Sequence, residues 1–346
     1  VKVLLTGSAG FIGSAIAVAL EARGDEVVRV DAMLPVAHGA AAAPAGTHLL
    51  DVRDAGAWTD LRGVDAVCHQ AALVGAGTDV ADLPAYAAHN DLGTAALLAA
   101  MAGAGVDRLV LASSMVVYGE GRYSCTEHGR QDPPPRVRAE LEAGEFDNRC
   151  PRCGAALAWQ PVPEDAPLDP RSSYAASKVA QEHYARAWAR QTGGSVVALR
   201  YHNVYGPGMP RDTPYSGVAA LFRSSLERGE APQVFEDGGQ LRDFVHVVDV
   251  ARANLGALDA LEDRGTGKVA AYNVCSGVPI SILEVAGLVA LGSATPRCPV
   301  VTGGYRLGDV RHVVASPDLA ARELGFRARI RPEAGLPDFA TAPLRA

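Results

Sequence analysis

The first residues whose types and spacing could do chemistry are in Ser172-Ser173-Tyr174-Ala175-Ala176-Ser177-Lys178. From Tyr174 to Arg190 the chain is Ala-rich and free of Gly and Pro, which predicts a helix. One helical turn separates Tyr174 from Lys178, so both side chains lie on one face. A free phenol titrates near ~10 and is a poor base at neutral pH. A neighbouring ammonium stabilises the phenolate, which would make Tyr174 a usable proton acceptor. The same spacing occurs on ordinary surface helices, so the pair takes its meaning from the rest of the chain.

A second constellation stands at the start. Val1 to Leu5 reads as a buried strand, Thr6-Gly7-Ser8-Ala9-Gly10-Phe11-Ile12-Gly13 as a glycine-rich turn, and Phe11 to Arg23 as a helix. Strand, turn and helix in this order form a pyrophosphate cradle. Gly7 permits the tight turn, Gly10 lets the backbone approach the phosphates, and Gly13 lets the helix pack against the sheet. Phe11 and Ile12 fall between them as further cofactor contacts. A second strand ends at Asp31, where a carboxylate accepts hydrogen bonds from ribose hydroxyls and repels a 2′-phosphate. NAD is therefore expected over NADP. Asp51 and Val52, after a third strand, are expected at the adenine, and small Ala71 leaves room for the cofactor.

A third constellation is Cys125-Thr126-Glu127-His128 with Cys150-Pro151-Arg152-Cys153-Gly154. Two ligand pairs, each with a two-residue gap, match a structural zinc site. A redox pair at Cys150 and Cys153, or four unrelated polar residues, are the alternatives. Their surroundings hold too little apolar content for a separate core, and a metal would supply the missing stability. Cys68, Cys275 and Cys298 read as buried small hydrophobes.

The elements that must position these groups alternate between strand and helix: strands near Glu26–Val30, Ala66–His69, Arg108–Ala112 and Ser195–Leu199, and a helix over about Pro84 to Ala104. This pattern predicts an α/β, doubly wound parallel sheet that binds ligands at the carboxyl ends of its strands, where Ser114 falls. Residues 32–45 are rich in Ala, Gly and Pro and read as a flexible loop. The chain has 346 residues, 48% of them hydrophobic, with a net charge of −7 and no basic block, which disfavours nucleic acid as a partner. No apolar run approaches the ~18 residues of a membrane span, and the opening strand does not read as a signal peptide. Six scattered cysteines suggest a cytoplasmic setting rather than a disulfide scaffold.

The glycine triplet, Asp31, Ser114 and Tyr174-x-x-x-Lys178 together resemble the extended short-chain dehydrogenase/reductase family, in its nucleotide-sugar epimerase/dehydratase branch. The resemblance covers nearly the whole chain and implies a Rossmann-type fold. It makes Ser114, Tyr174 and Lys178 catalytic, places Asn90 at the cofactor, and puts Asn203, Arg242 and Arg306 at a substrate diphosphate. It further implies a homodimer built on the helices around Asn90 and Tyr174. The domains expected are residues 1–203 with 239–273 for NAD, interrupted by an insertion at about 121–161, and 204–238 with 274–346 for the substrate. His202 and His246 are expected to be structural.

Dehydratases of the branch carry Asp-Glu after the Ser/Thr position, and 3,5-epimerases carry a Cys; here Met115 and Val116 stand there. The implied reaction is therefore 4-epimerisation of a nucleoside-diphosphate sugar through a 4-keto intermediate. A 4-keto reductase or dehydrogenase, a 4,6-dehydratase and a non-catalytic NAD-binding regulator are the alternatives. The insertion and the run Arg200-Tyr201-His202-Asn203-Val204-Tyr205-Gly206-Pro207-Gly208 resemble bacterial epimerases acting on dTDP-L-rhamnose-type sugars.

Overall fold

The computed structural model describes residues 1–77, 79–211, 217–263 and 267–345. Seven parallel strands form the main sheet. In spatial order they are Thr47–Leu49, Glu26–Asp31, Lys2–Thr6, Ala66–His69, Arg108–Ser114, Ser195–Tyr201 and Val269–Val274. The chain runs outward in one direction from Lys2–Thr6 and then in the other from Ala66–His69. The crevice between those two strands is the switch point, where such sheets take their ligands. This is the Rossmann-type sheet expected from the alternation of strands and helices.

Both faces of the sheet are covered, which explains why its strands read as continuous apolar runs. Val3 and Leu5 face one core, with Ile16, Leu20, Val250 and Leu258. Leu4, one residue out of phase, faces the other with Leu97, Met101, Leu109 and Trp188. Ala320 and Phe326 also pack into the first of these cores, although their place in the chain lies in the second unit of the sequence division. A third core, with Tyr205, Phe222, Phe244, Val285, Leu336 and Phe339, belongs to the smaller carboxy-terminal part.

Three local features bear on the site. The helix Ser173–Thr192 starts at Ser172, whose side chain accepts a hydrogen bond from the Ala175 amide at 3.2 Å, and ends at Gly193 in the left-handed conformation. Its buried face carries Lys178 and Glu182 as well as Ala175, Ala185 and Ala189. The expected helix over Pro84 to Ala104 contains a π-helical stretch at Ala87–Leu92, the kind of irregularity that often marks a functional site. Residues 32–45 are not featureless, because a short helix, Pro35–His38, buries His38 against Asp31.

The insertion forms a separate small sheet of Gly129–Gln131, Arg122–Cys125 and Ala158–Gln160. Its core is Tyr123, Cys125, Cys150 and Leu157, with Trp159 against it. Cys68 and Cys275 are buried as expected, but Cys298 is exposed, in a stretch where no core forms over it.

Candidate active site

One cavity of about 550 Å³ opens at the switch point. It is lined by Gly7, Gly10, Phe11, Ile12, Gly13, Asp31, Asp51, Val52, Ala71, Ser114, Tyr174, Lys178, Asn203 and Arg306. Residues far apart in the chain, each singled out for a separate reason, thus share one space. Asn90 and Arg242 are the two expected ligand contacts outside this lining.

At one end the glycine loop is shaped for a phosphate. Gly7 has φ +66°, and a Cβ there would lie 2.7 Å from the Ala71 amide. A Cβ on Gly13 would lie 2.0 Å from the Gly7 carbonyl oxygen. Only hydrogen fits at these two positions, so the helix Phe11–Arg23 is held with its amino end against the turn. Asp31 accepts hydrogen bonds from the amides of Ala9 (3.0 Å) and Met33 (2.8 Å), and from His38 at 3.3 Å. Burial opposes its negative charge, but these bonds outweigh burial and keep its pKa below the usual carboxylate value. The carboxylate fits a ribose diol and would repel a 2′-phosphate. Asp51 caps the turn that follows and is paired with Arg53.

Ser114 ends its strand at the cavity, and its hydroxyl accepts a hydrogen bond from the Val116 amide at 3.4 Å. Tyr174 faces it from the helix and stands 5.9 Å, ring to ring, from Tyr86. Lys178 is buried, with its ammonium 5.8 Å from the Tyr174 ring centre and donating to the Ala112 carbonyl at 3.0 Å. Burial lowers the Lys178 pKa to about 8, against the opposing pull of Glu182. Burial also raises the Tyr174 phenol above its ordinary value; hydrogen bonding with Ser114 opposes this, and Tyr86 adds to it. Burial therefore favours the protonated phenol, and positive charge beside it, from Lys178 and from a bound nicotinamide ring, would favour the phenolate.

The two residues outside the lining act behind it. Asn90 is fully buried, and its amide bonds both the N–H (2.7 Å) and the C=O (2.9 Å) of Leu73, a wall residue, and the Ser177 hydroxyl. Arg242 is buried and donates to the carbonyls of Leu241, Val310 and Arg311. Its guanidinium is thereby occupied by the loop that carries Arg306. Asn203 has a buried amide oxygen without a partner among the described residues, which leaves hydrogen-bonding capacity beside the cavity.

Several lining residues carried no sequence signal. His38 accepts a hydrogen bond from Arg345 at 2.8 Å, and Arg345 also donates to the Ala9 carbonyl. Arg345 is brought there by backbone pairing of its segment with Met209 and Arg211. Met209, Val218 and Phe244 add apolar lining. His202 lines the cavity too and is held neutral by burial and by Arg242, its pKa lowered to about 3.

A sequence profile of the NAD dependent epimerase/dehydratase family matches residues 3–138 and 154–275, three quarters of the chain. The chain belongs to this family. The unmatched gap falls inside the insertion. Among relatives, a dTDP-L-rhamnose 4-epimerase of Burkholderia thailandensis is 34% identical, over 98% of this chain and 94% of the relative. Among solved structures, MoeE5 in complex with UDP-glucuronic acid and NAD superposes with a TM-score of 0.74 at 32% identity, over 97% of this chain and 96% of the other. UDP-glucose 4-epimerase of Thermotoga maritima with UDP-glucose gives 0.78 at 27% identity, over 98% and 97%.

In this family member the ionisation of Tyr174 is a direct test of the site. Cofactor-free protein should show no Tyr174 phenolate in ultraviolet difference titration at neutral or mildly alkaline pH. Loaded with NAD, the protein should show one more phenolate than equally loaded Tyr174→Phe. Because the Lys178 ammonium is present below about pH 8 and lost above it, support for the phenolate should weaken above that pH. Identical spectra for the two loaded proteins would exclude Tyr174 as the base.

Proposed function

We propose that the protein is an NAD-dependent 4-epimerase of a nucleoside-diphosphate sugar. The observation that carries the reading is the distribution of polar groups along one cavity. Ser114, Tyr174 and Lys178 lie together in its lining, while its only carboxylates among the described residues are Asp31, beside the glycine loop, and Asp51. Elimination of water across C5 and C6 needs an acid and a base beside the sugar. Met115 and Val116 flank Ser114 instead.

NAD, when bound, supplies the site that takes up and returns the hydride of C4. Tyr174, as phenolate, takes the proton of the C4 hydroxyl and later gives it back. Ser114 holds the reacting oxygen by a hydrogen bond. Lys178 contributes a fixed positive charge behind the phenol and, through Ala112, ties the helix to the sheet. Asn203 and Arg306 hold the diphosphate while the 4-keto sugar turns over to present its other face. Val74, Ala76, Met115 and Val116 give the sugar end an apolar wall. A methyl at C6 suits that wall better than a carboxylate does, so a 6-deoxy sugar, as in the Burkholderia relative's name, is favoured over a uronic acid.

Purified protein offered a panel of dTDP- and UDP-sugars should form C4 epimers, fastest with a 6-deoxy sugar, and retain deuterium placed at C4. Tyr174→Phe should lower kcat by at least ~10² with NAD still bound. Deuterium appearing in free NADH, or accumulation of a 4-keto-6-deoxy sugar, would refute epimerisation. Faster turnover of UDP-glucuronic acid would refute the 6-deoxy reading.

The Cys125, His128, Cys150 and Cys153 cluster supports a structural zinc ion. Its four ligand atoms lie within 4.8 Å of one another. The Cys125 sulfur is 3.7 Å from that of Cys153 and 3.6 Å from His128 Nδ1, and the Cys150 sulfur is 3.7 Å from the same nitrogen. A tetrahedron of ligands at Zn–S ~2.3 Å has edges of roughly this length. Backbone N–H groups of Glu127 and His128 point at the Cys125 sulfur, and those of Arg152 and Cys153 at Cys150, a knuckle that favours thiolates. Elemental analysis should find about one zinc per chain, lost in Cys150→Ser. Its absence from wild-type protein purified without chelator would exclude the site. Thiolate ligands suit a reducing compartment such as the cytoplasm.

A homodimer is supported by an unpaired face on two helices. Leu92 and Ala99 are exposed on one, and Ala176, Tyr184 and Ala187 on the other. Small side chains there permit close packing into a four-helix bundle. Light scattering should report a dimer at micromolar concentration and a monomer for Leu92→Glu. A monomeric wild type would end the proposal.

A further inference from the structure

The loop from Tyr305 to His312 carries Arg306 into the cavity and is fixed from two parts of the chain, the segment of Leu241 and Arg242 and the insertion. The insertion supplies Tyr123, Arg136, Glu142, Phe146 and Asp147. The His312 amide donates to the Tyr123 hydroxyl at 3.0 Å. Arg136 donates to the Asp309 carbonyl at 2.6 Å while pairing with Glu236. Arg311 reaches Asp147 at 2.8 Å and lies over the Phe146 ring. Its amide donates to Glu120, which also accepts from Asn148. Tyr305 bonds Glu142 at 3.2 Å.

These contacts converge on a buried charge network. Arg136, Arg311 and Glu236 are all nearly inaccessible, and Arg311 also chelates Asp237 through both of its terminal nitrogens. Glu236, a non-glycine residue, is held at φ +54°, a costly conformation that persists only where surrounding contacts over-determine it. Its neighbour Phe235 stacks under the Arg306 guanidinium at 5.0 Å. The chain of contacts therefore runs from the Cys/His cluster through Tyr123, which shares the strand and the small core of Cys125, to the loop that presents Arg306. Arg242 also clamps this loop, through the Val310 and Arg311 carbonyls.

We propose that the insertion is a brace for this loop, and that Tyr123, Arg136 and Arg311 are positioning residues that set Arg306 for the substrate diphosphate. The inference rests on the nucleotide-sugar reading of the cavity. It gives the insertion a defined task, which is to hold a cation at a fixed point of the cavity wall. A flexible arginine loses side-chain freedom when it binds, and an anchored loop reduces that loss.

The test is a double-mutant cycle on NAD-loaded protein, titrated calorimetrically with UDP and with dTDP and assayed for KM and kcat. Tyr123→Phe removes the hydroxyl that receives the His312 amide. Asp147→Asn, at an exposed carboxylate, weakens the Arg311 contact without disturbing folding. Each is expected to weaken nucleoside-diphosphate binding by roughly 3- to 10-fold, to raise KM by a similar factor and to leave kcat and NAD content unchanged. In an Arg306→Ala background neither change should cost anything further. Additive effects, or wild-type affinity in both variants, would overturn the brace while leaving the nucleotide-sugar reading intact. Wild-type protein that binds neither UDP nor dTDP would overturn that reading, and the brace with it.

Discussion

The pair of Arg200 and Glu182 holds the reactive helix against the sheet. Both side chains are nearly inaccessible, and two guanidinium nitrogens meet the two carboxylate oxygens at 2.9 and 2.8 Å. The remaining donors of Arg200 satisfy Tyr118 and the Glu164 carbonyl, and Ser113 donates to Glu182. Such a pair adds little net stability over an apolar packing, but loss of one partner would strand a buried charge at a cost of about 3–5 kcal/mol. Its value here is geometric. It locks the helix in the register that puts Tyr174 opposite Ser114, and it places a negative charge beside Lys178, one turn away.

That register carries an electrostatic cost. Lys178 and Tyr174 sit where burial disfavours charge on either of them, so neither the ammonium nor the phenolate is well supported by the chain alone. A bound cation beside the phenol would favour the phenolate. A positively charged nicotinamide ring would be such a cation. That Asp31 and Asp51 are the only carboxylates of the lining among the described residues fits the same logic, since a carboxylate beside the phenol would raise its pKa further.

Charge on the substrate side is handled by pairing rather than by exposure. Arg136, Arg242 and Arg311 are all committed to carboxylates or carbonyls, which leaves Arg306 to face the cavity. A chain with a net charge of −7 can hold a diphosphate only where its cations are concentrated. Arg136 and Arg311, packed between the insertion and the Tyr305–His312 loop, both pair with Glu236.

Features with short-range causes were legible in the sequence. The steric demands of Gly7 and Gly13, the one-turn spacing of Tyr174 and Lys178, the alternation of strands and helices and the Cys/His spacing each follow from backbone geometry over a few residues. Partner choice among buried polar groups was not legible. Asn90 and Arg242 stand at family positions for ligand contacts, yet the structure commits one to the Leu73 backbone and the other to the Val310 and Arg311 carbonyls. His38 and Arg345, more than three hundred residues apart, meet over Asp31 only because the carboxy-terminal segment pairs with Met209 and Arg211. The sequence by itself determined which chemistry the chain can perform, because that depends on residue types at local spacings. Only the tertiary structure decided which charges serve the ligand and which serve the fold, because desolvation, which sets that division, depends on atoms contributed from the whole chain.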